Sequence, residues 1–203
     1  MKAILQDALQ NAMTYSKYRE KIDLLLAQQL STGNIQNENL LHFSQLNVTR
    51  MHRLDKTISV PDEIKLAMQQ INRPMIWLVL TEGWCGDAAQ IVPVLHHLSE
   101  TSDKVQFLLV LRDQNDALMQ HFLTNESKSI PKLVALDAVT LEVVFDWGPR
   151  PEGAQQLMSD YKAQHGKIDD FIKTELQKWY TKDKGMQIMQ EVVEKVQSLE
   201  LIS

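Results

Sequence analysis

The rhythm of apolar and polar residues changes repeatedly along this chain. Tyr15, Tyr18, Ile22, Leu25 and Gln29 step by three and four, and the first four place an apolar stripe on one helical face. Ser31-Thr32-Gly33-Asn34 then supplies a stop and a turn. Leu40, Leu41, Phe43, Leu46, Met51 and Leu54 predict a second helix over about Asn37 to Asp55. Pro61-Asp62-Glu63 opens a third, short one. Proline suits the first turn, and acidic residues suit the positive end of the helix dipole.

Near residue 75 the helical period gives way to a continuous apolar run, Met75-Ile76-Trp77-Leu78-Val79-Leu80, bounded by Pro74 and Gly83. A run this short predicts a strand buried on both faces. Helical spacing returns from about Gly86 to Ser99, with Ala88, Ile91, Val92, Leu95 and Leu98 inward. Val105 to Leu111 predicts a second buried strand, and Asp113-Gln114-Asn115-Asp116 a cap for a helix through about Leu123. Strands follow at Lys132–Leu136 and Leu141–Trp147, joined by a link short enough for a hairpin. Helical spacing then resumes over about Pro151–His165, Ile168–Lys182 and Lys184–Leu199, with Gly166 and Gly185 between.

The order β-α-β-α-β-β followed by helices predicts an α/β fold, a mixed central sheet covered on both faces. It divides the chain into a helical extension over 1–70, an α/β core over 71–165 and C-terminal helices over 166–203 packed on that core. With 203 residues, 44% hydrophobic and 23% charged, the composition is that of a globular protein. A net charge of −5 argues against a general basic surface for nucleic acid. The N-terminus lacks a continuous apolar stretch of signal-peptide type, and no run of 18 apolar residues predicts a membrane span. One cysteine cannot close an internal disulfide, so a reducing cytoplasm is the expected setting.

That cysteine, Cys85, lies in Thr81-Glu82-Gly83-Trp84-Cys85-Gly86-Asp87-Ala88, where the first strand hands over to a helix. Ligands of open α/β sheets bind beyond the carboxyl ends of the strands. Free N–H groups and the dipole of a helix N-terminus favour an anion there. The placement therefore predicts an accessible thiol of lowered pKa. The alternative is a small buried hydrophobe. His96 and His97 are adjacent and share no helix face, and no Cys/His cluster has zinc-ligand spacing, so no metal is expected. No phosphate-binding glycine loop and no nucleophile elbow is present, and no cofactor is expected.

Trp84-Cys85-Gly86-Asp87-Ala88 resembles the W-C-G-P-C site of the thioredoxin superfamily. Pro93 falls five residues after Ala88, and Ile130-Pro131 lies 46 residues after Cys85. These positions resemble the family's helix-kinking proline and its cis-proline. The match is nearer still to a group of uncharacterised bacterial thioredoxin-like proteins. These carry W-C-G-D-A, Leu111-Arg112-Asp113, Ser129-Ile130-Pro131-Lys132 and Trp147-Gly148-Pro149-Arg150-Pro151, with a helical N-terminal extension. The resemblance implies a thioredoxin-like fold and a cis Ile130–Pro131 bond. It also implies a site at Cys85 shaped by Trp84, Gly86, Asp87, Ile130 and Pro131. Two departures limit it. Ala88 replaces the resolving cysteine, and Val79 stands where the family carries a buried carboxylate for proton transfer.

Asp87 is either an acid–base partner of the thiol or an ordinary first-turn acid that would raise its pKa. Lys132 and Arg112 are candidates to attract the carboxylates of a glutathione-type thiol, or else solvated charges; Arg150 is similarly ambiguous. Three readings stay open. The first is monothiol exchange at Cys85, or its oxidation and capping, with a low-molecular-weight thiol or protein thiol as partner. The second is a non-catalytic binding module for a protein or peptide. The third is an assembly protein using its terminal helices. The sequence leaves the oligomeric state undetermined.

Overall fold

The computed structural model describes residues 1–200. Four helices precede the sheet: α1 (Lys2–Gln10), α2 (Tyr15–Ala27), α3 (Glu38–Thr57) and α4 (Asp62–Gln69). The Thr14 hydroxyl caps α2 by accepting from the Lys17 N–H, and the Asn37 side chain caps α3 by accepting from the Leu40 N–H at 2.9 Å. Each satisfies a donor that the first helical turn leaves free. Tyr15, Tyr18 and Ile22 are buried on α2 as their spacing requires, while Leu25 is only half-buried.

The sheet contains β1 (Met75–Thr81), β2 (Val105–Leu111), β3 (Lys132–Asp137) and β4 (Val143–Trp147), in the order β2-β1-β3-β4. β1 runs parallel to β2 and antiparallel to β3, and β3 runs antiparallel to β4. The central place of β1 explains its unbroken apolar run, since all seven of its residues are buried. β2 departs from the expected two-sided burial. It is an edge strand, and only Leu109, Val110 and Leu111 are buried. Among the described residues its outer backbone is bridged at one point, where Met13 and Leu109 exchange two hydrogen bonds of 2.8 Å.

Between β1 and β2 lies α5 (Ala88–Ser99), and between β2 and β3 a 3₁₀ turn (Arg112–Gln114) and α6 (Asp116–Met119). The expected helix through Leu123 is much shorter. Asn115 precedes its first turn at φ −127°, ψ 46°, and beyond Met119 the His121 and Phe122 N–H groups bond only three residues back, to Leu118 and Met119, before Asn125 and Glu126 turn at positive φ. β4 also starts later than expected. Leu141 adopts φ 61° in a turn held by Asp137, whose Oδ1 accepts from the Val139 and Thr140 N–H groups.

The chain closes with α7 (Glu152–His165), α8 (Asp170–Asp183) and α9 (Met186–Glu200). α7 has no capping side chain of its own. Glu191 and Gln187 of α9 serve instead, accepting from the Glu152 and Gly153 N–H groups at 2.7 and 3.0 Å. One hydrophobic cluster joins Leu5 of α1, Tyr18 of α2, Met51 of α3, Leu78 of β1, Leu95 of α5, Leu176 of α8 and Val192 of α9. No described helix is long and apolar enough to cross a membrane.

Candidate active site

β1 ends at Thr81, and the next six residues turn over the end of the sheet into α5. The turn is fixed from outside. The Gly83 N–H donates to Thr32 Oγ1 at 2.8 Å, and its carbonyl accepts from Asn47 Nδ2 at 2.9 Å. Both side chains are buried and both belong to the first fifty residues. The Glu82 carbonyl accepts from the Cys85 N–H at 3.1 Å, which points the cysteine back under the turn.

Cys85 Sγ lies 3.4 Å from the Ala88 N–H, which donates to it, and 3.4 Å from the Ile130 carbonyl, to which the thiol donates. The sulfur thus receives the first free N–H of α5. Ile130–Pro131 is a cis peptide bond, as is Gly148–Pro149. Gly148, at φ +111°, lies against Pro131; a Cβ there would sit 2.5 Å from the Pro131 carbonyl oxygen, so only glycine fits.

The thiol is not the accessible, low-pKa group expected from its place at a helix N-terminus. Cys85 is only 9% exposed, and its pKa is pushed up to about 12. Burial is the main cause, and the carboxylate of Asp87 adds to it. The N–H groups of Ala88 and Asp87 and the Arg150 guanidinium pull the other way and lose.

Asp87, the helix-start acid, is engaged twice. Its Oδ2 pairs with Arg150 Nη2 at 2.7 Å, and its Oδ1 accepts from the Tyr180 hydroxyl at 2.9 Å. Tyr180 lies on α8, so a C-terminal helix is fastened beside the thiol. Gln90 of α5 donates to Gln177 Oε1 of the same helix at 2.8 Å.

Arg112 lies 4.9 Å above the Trp84 ring and donates through Nε and Nη2 to Asp113 Oδ1 at 2.9 and 2.7 Å. Lys132 is buried and paired with Asp146. The cationic charges of Arg112, Lys132 and Arg150 are therefore each matched by a carboxylate of this chain. Gly33, at φ +93°, packs over the tryptophan, where a Cβ would lie 3.0 Å from Trp84 Nε1 and 2.8 Å from Asp113 Oδ2. Glu82 is buried beneath, its Oε1 accepting from the Asp113 N–H at 3.0 Å, and burial pushes its carboxyl above the usual range.

Cys85, Trp84, Gly86, Asp87, Ile130 and Pro131 thus gather at one end of the sheet. Sequence reasoning missed the residues that surround them: Thr32, Asn47, Arg50, Gln177 and Tyr180. Their partners lie 36 to 93 positions away in four of the bonds described, beyond the reach of any local period. Among the described residues no group of three or more His, Cys, Asp or Glu side chains is placed to hold a metal ion.

Residues 33–162, well over half of the chain, match the family described as Thioredoxin. A solved structure of a protein of unknown function from Pseudomonas aeruginosa is similar at 17% identity. The match covers 77% of this chain and 90% of that one, with a TM-score of 0.55. An HIV epitope-scaffold protein is similar at 16% identity over 92% of this chain and 99% of its own, also with a TM-score of 0.55. At such identities both likenesses concern the fold alone. No curated protein matches the sequence.

Proposed function

Because the chain belongs to the thioredoxin family, we propose that it performs thiol–disulfide exchange through the single thiol of Cys85, with an external thiol completing the cycle. The observation that carries this reading is the position of Sγ between the first free N–H of α5 and the carbonyl preceding Pro131. A developing thiolate there keeps a hydrogen bond from the helix, and a sulfur approaching past Pro131 lies beside it. The Cys85 thiolate attacks one sulfur of a disulfide RS–SR and expels RS⁻, leaving Cys85–S–SR. Ala88 offers no second thiol. A thiol R′SH must therefore attack the adduct as its thiolate, release the Cys85 thiolate and leave as R′S–SR. Electrons balance between the two external thiols, and the protein returns unchanged.

The resting thiol is protonated and covered, so exchange starts from a state in which the cover has moved and water reaches Sγ. A glutathione-type thiol or a partner protein's thiol, in a reducing cytoplasm, fits this chemistry. The burial of Cys85 favours a second reading, a binding module in which the thiol is packing. Incubation with glutathione disulfide, followed by intact-mass measurement, separates the two. Exchange predicts one adduct on the folded protein, absent in Cys85→Ala and removed by added thiol. Adduct formation only after unfolding in urea would leave the binding module.

A further inference from the structure

The three cations expected beside the thiol are each neutralised by an acid of this chain, and that leaves attention on a fourth. Arg50, on α3, is half-buried and reaches the turn that carries the cysteine. Its Nη1 lies 3.6 Å from the point a Cβ on Gly86 would occupy. It donates to Asn47 Oδ1 at 2.8 Å, and among the described residues no carboxylate pairs with it. Its charge is opposed by burial first and by neighbouring Arg53 second, so it lacks a counter-charge in a place that calls for one.

A second donor faces the same glycine from the opposite end of the chain. Gln177 Nε2 of α8 also lies 3.6 Å from the Gly86 Cβ position; its Oε1 accepts from Gln90, and among the described residues no acceptor takes its N–H₂. A guanidinium and an amide N–H₂ thus converge on the outer side of the residue next to Cys85. A planar anion with two oxygens matches such a pair.

We propose that Arg50 and Gln177 form a carboxylate subsite beside Cys85, so that the exchanging substrate is a thiol or disulfide carrying a carboxylate within a few bonds of its sulfur. The subsite rests on the reading of Cys85 as an exchanging thiol. It lies on the helical extension and the C-terminal helix rather than on the sheet, so these added parts set which sulfur compound is accepted. The preference runs against the protein's overall field, since the net charge of −5 repels anions.

The test compares two disulfides of similar length and opposite charge, dithiodipropionate and cystamine. Mixed-disulfide formation on the folded full chain is followed by intact mass. Their rate ratio at one pH cancels any change in thiolate fraction. The wild type should favour dithiodipropionate by about tenfold, as one charge-assisted contact implies. Arg50→Gln should abolish the preference and Arg50→Lys retain much of it. Added salt should erode the wild-type preference, which keeps the test valid even if Arg50→Gln fails to fold. A wild type without anionic preference, or one that Arg50→Gln leaves intact, overturns the subsite while exchange at Cys85 stands. Labelling by neither disulfide until the chain is unfolded removes both.

Discussion

At Cys85 two familiar influences oppose each other on one atom. A helix N–H and a nearby arginine favour the thiolate; a dry surrounding and the Asp87 carboxylate favour the thiol, and they prevail. Alkylation by iodoacetamide at pH 7 to 8 should therefore be slow in the folded protein, its rate still rising above pH 10. In urea the midpoint should return to about 8.5. Because the folded pKa is the higher one, the folded state holds its proton where the unfolded chain has lost it. This contribution to stability is present below pH 8.5 and is lost as pH rises toward 12. Asp87→Asn removes a negative charge and leaves Arg150 free to act on the sulfur, so its alkylation midpoint should fall; an unchanged midpoint would mean burial alone governs the thiol. The quartet Trp84-Cys85-Gly86-Asp87 made this site legible in the sequence. The sign of the pKa shift was not, because it is set chiefly by burial of the sulfur, which depends on packing that no local spacing reports.

Among the elements, α3 has the largest hold on the site for the least sequence signal. Asn47 is fully buried on it and spans from Arg50 to the Gly83 carbonyl. Asn47→Ala strips a buried carbonyl of its donor, and urea titration should show a loss of about 1–3 kcal/mol. Cys85 alkylation should quicken in the same variant, since the turn above the thiol loses an anchor; a variant that is destabilised with no change in labelling would separate the anchor from the cover. β1, α5 and β3 were readable because continuous or 3.6-periodic apolar runs reflect burial directly. The sequence of β2 predicts full burial because an edge strand and a central one share the same apolar composition. The expected α6 runs too far because buried Leu118, Met119 and Phe122 keep a helical spacing through the tight turns that end it, and the expected β4 starts too early because the left-handed turn at Leu141 uses a residue other than glycine.

On the scale of the whole molecule, the hydrophobic cluster runs without a break from Leu5 to Val196. Tyr18, Ile22, Met51 and Met68, all in the first 70 residues, are at most 1% exposed. A chain lacking residues 1–70 should lose its cooperative urea transition and its near-ultraviolet circular dichroism; a sharp transition would show that the sheet and its C-terminal helices suffice alone. The fold class followed from the order of elements. The dependence of one part on another did not, because burial between distant segments adds no period to either. The single bridge between Met13 and Leu109 has a further bearing on how the protein behaves in a crowded solution. It occupies the middle of an otherwise open strand edge, the surface on which a second chain would add a strand of its own. Clipping or fraying before residue 14 would free the N–H and carbonyl of Leu109 together, and the exposed strand edge would become a template for fibrous self-association.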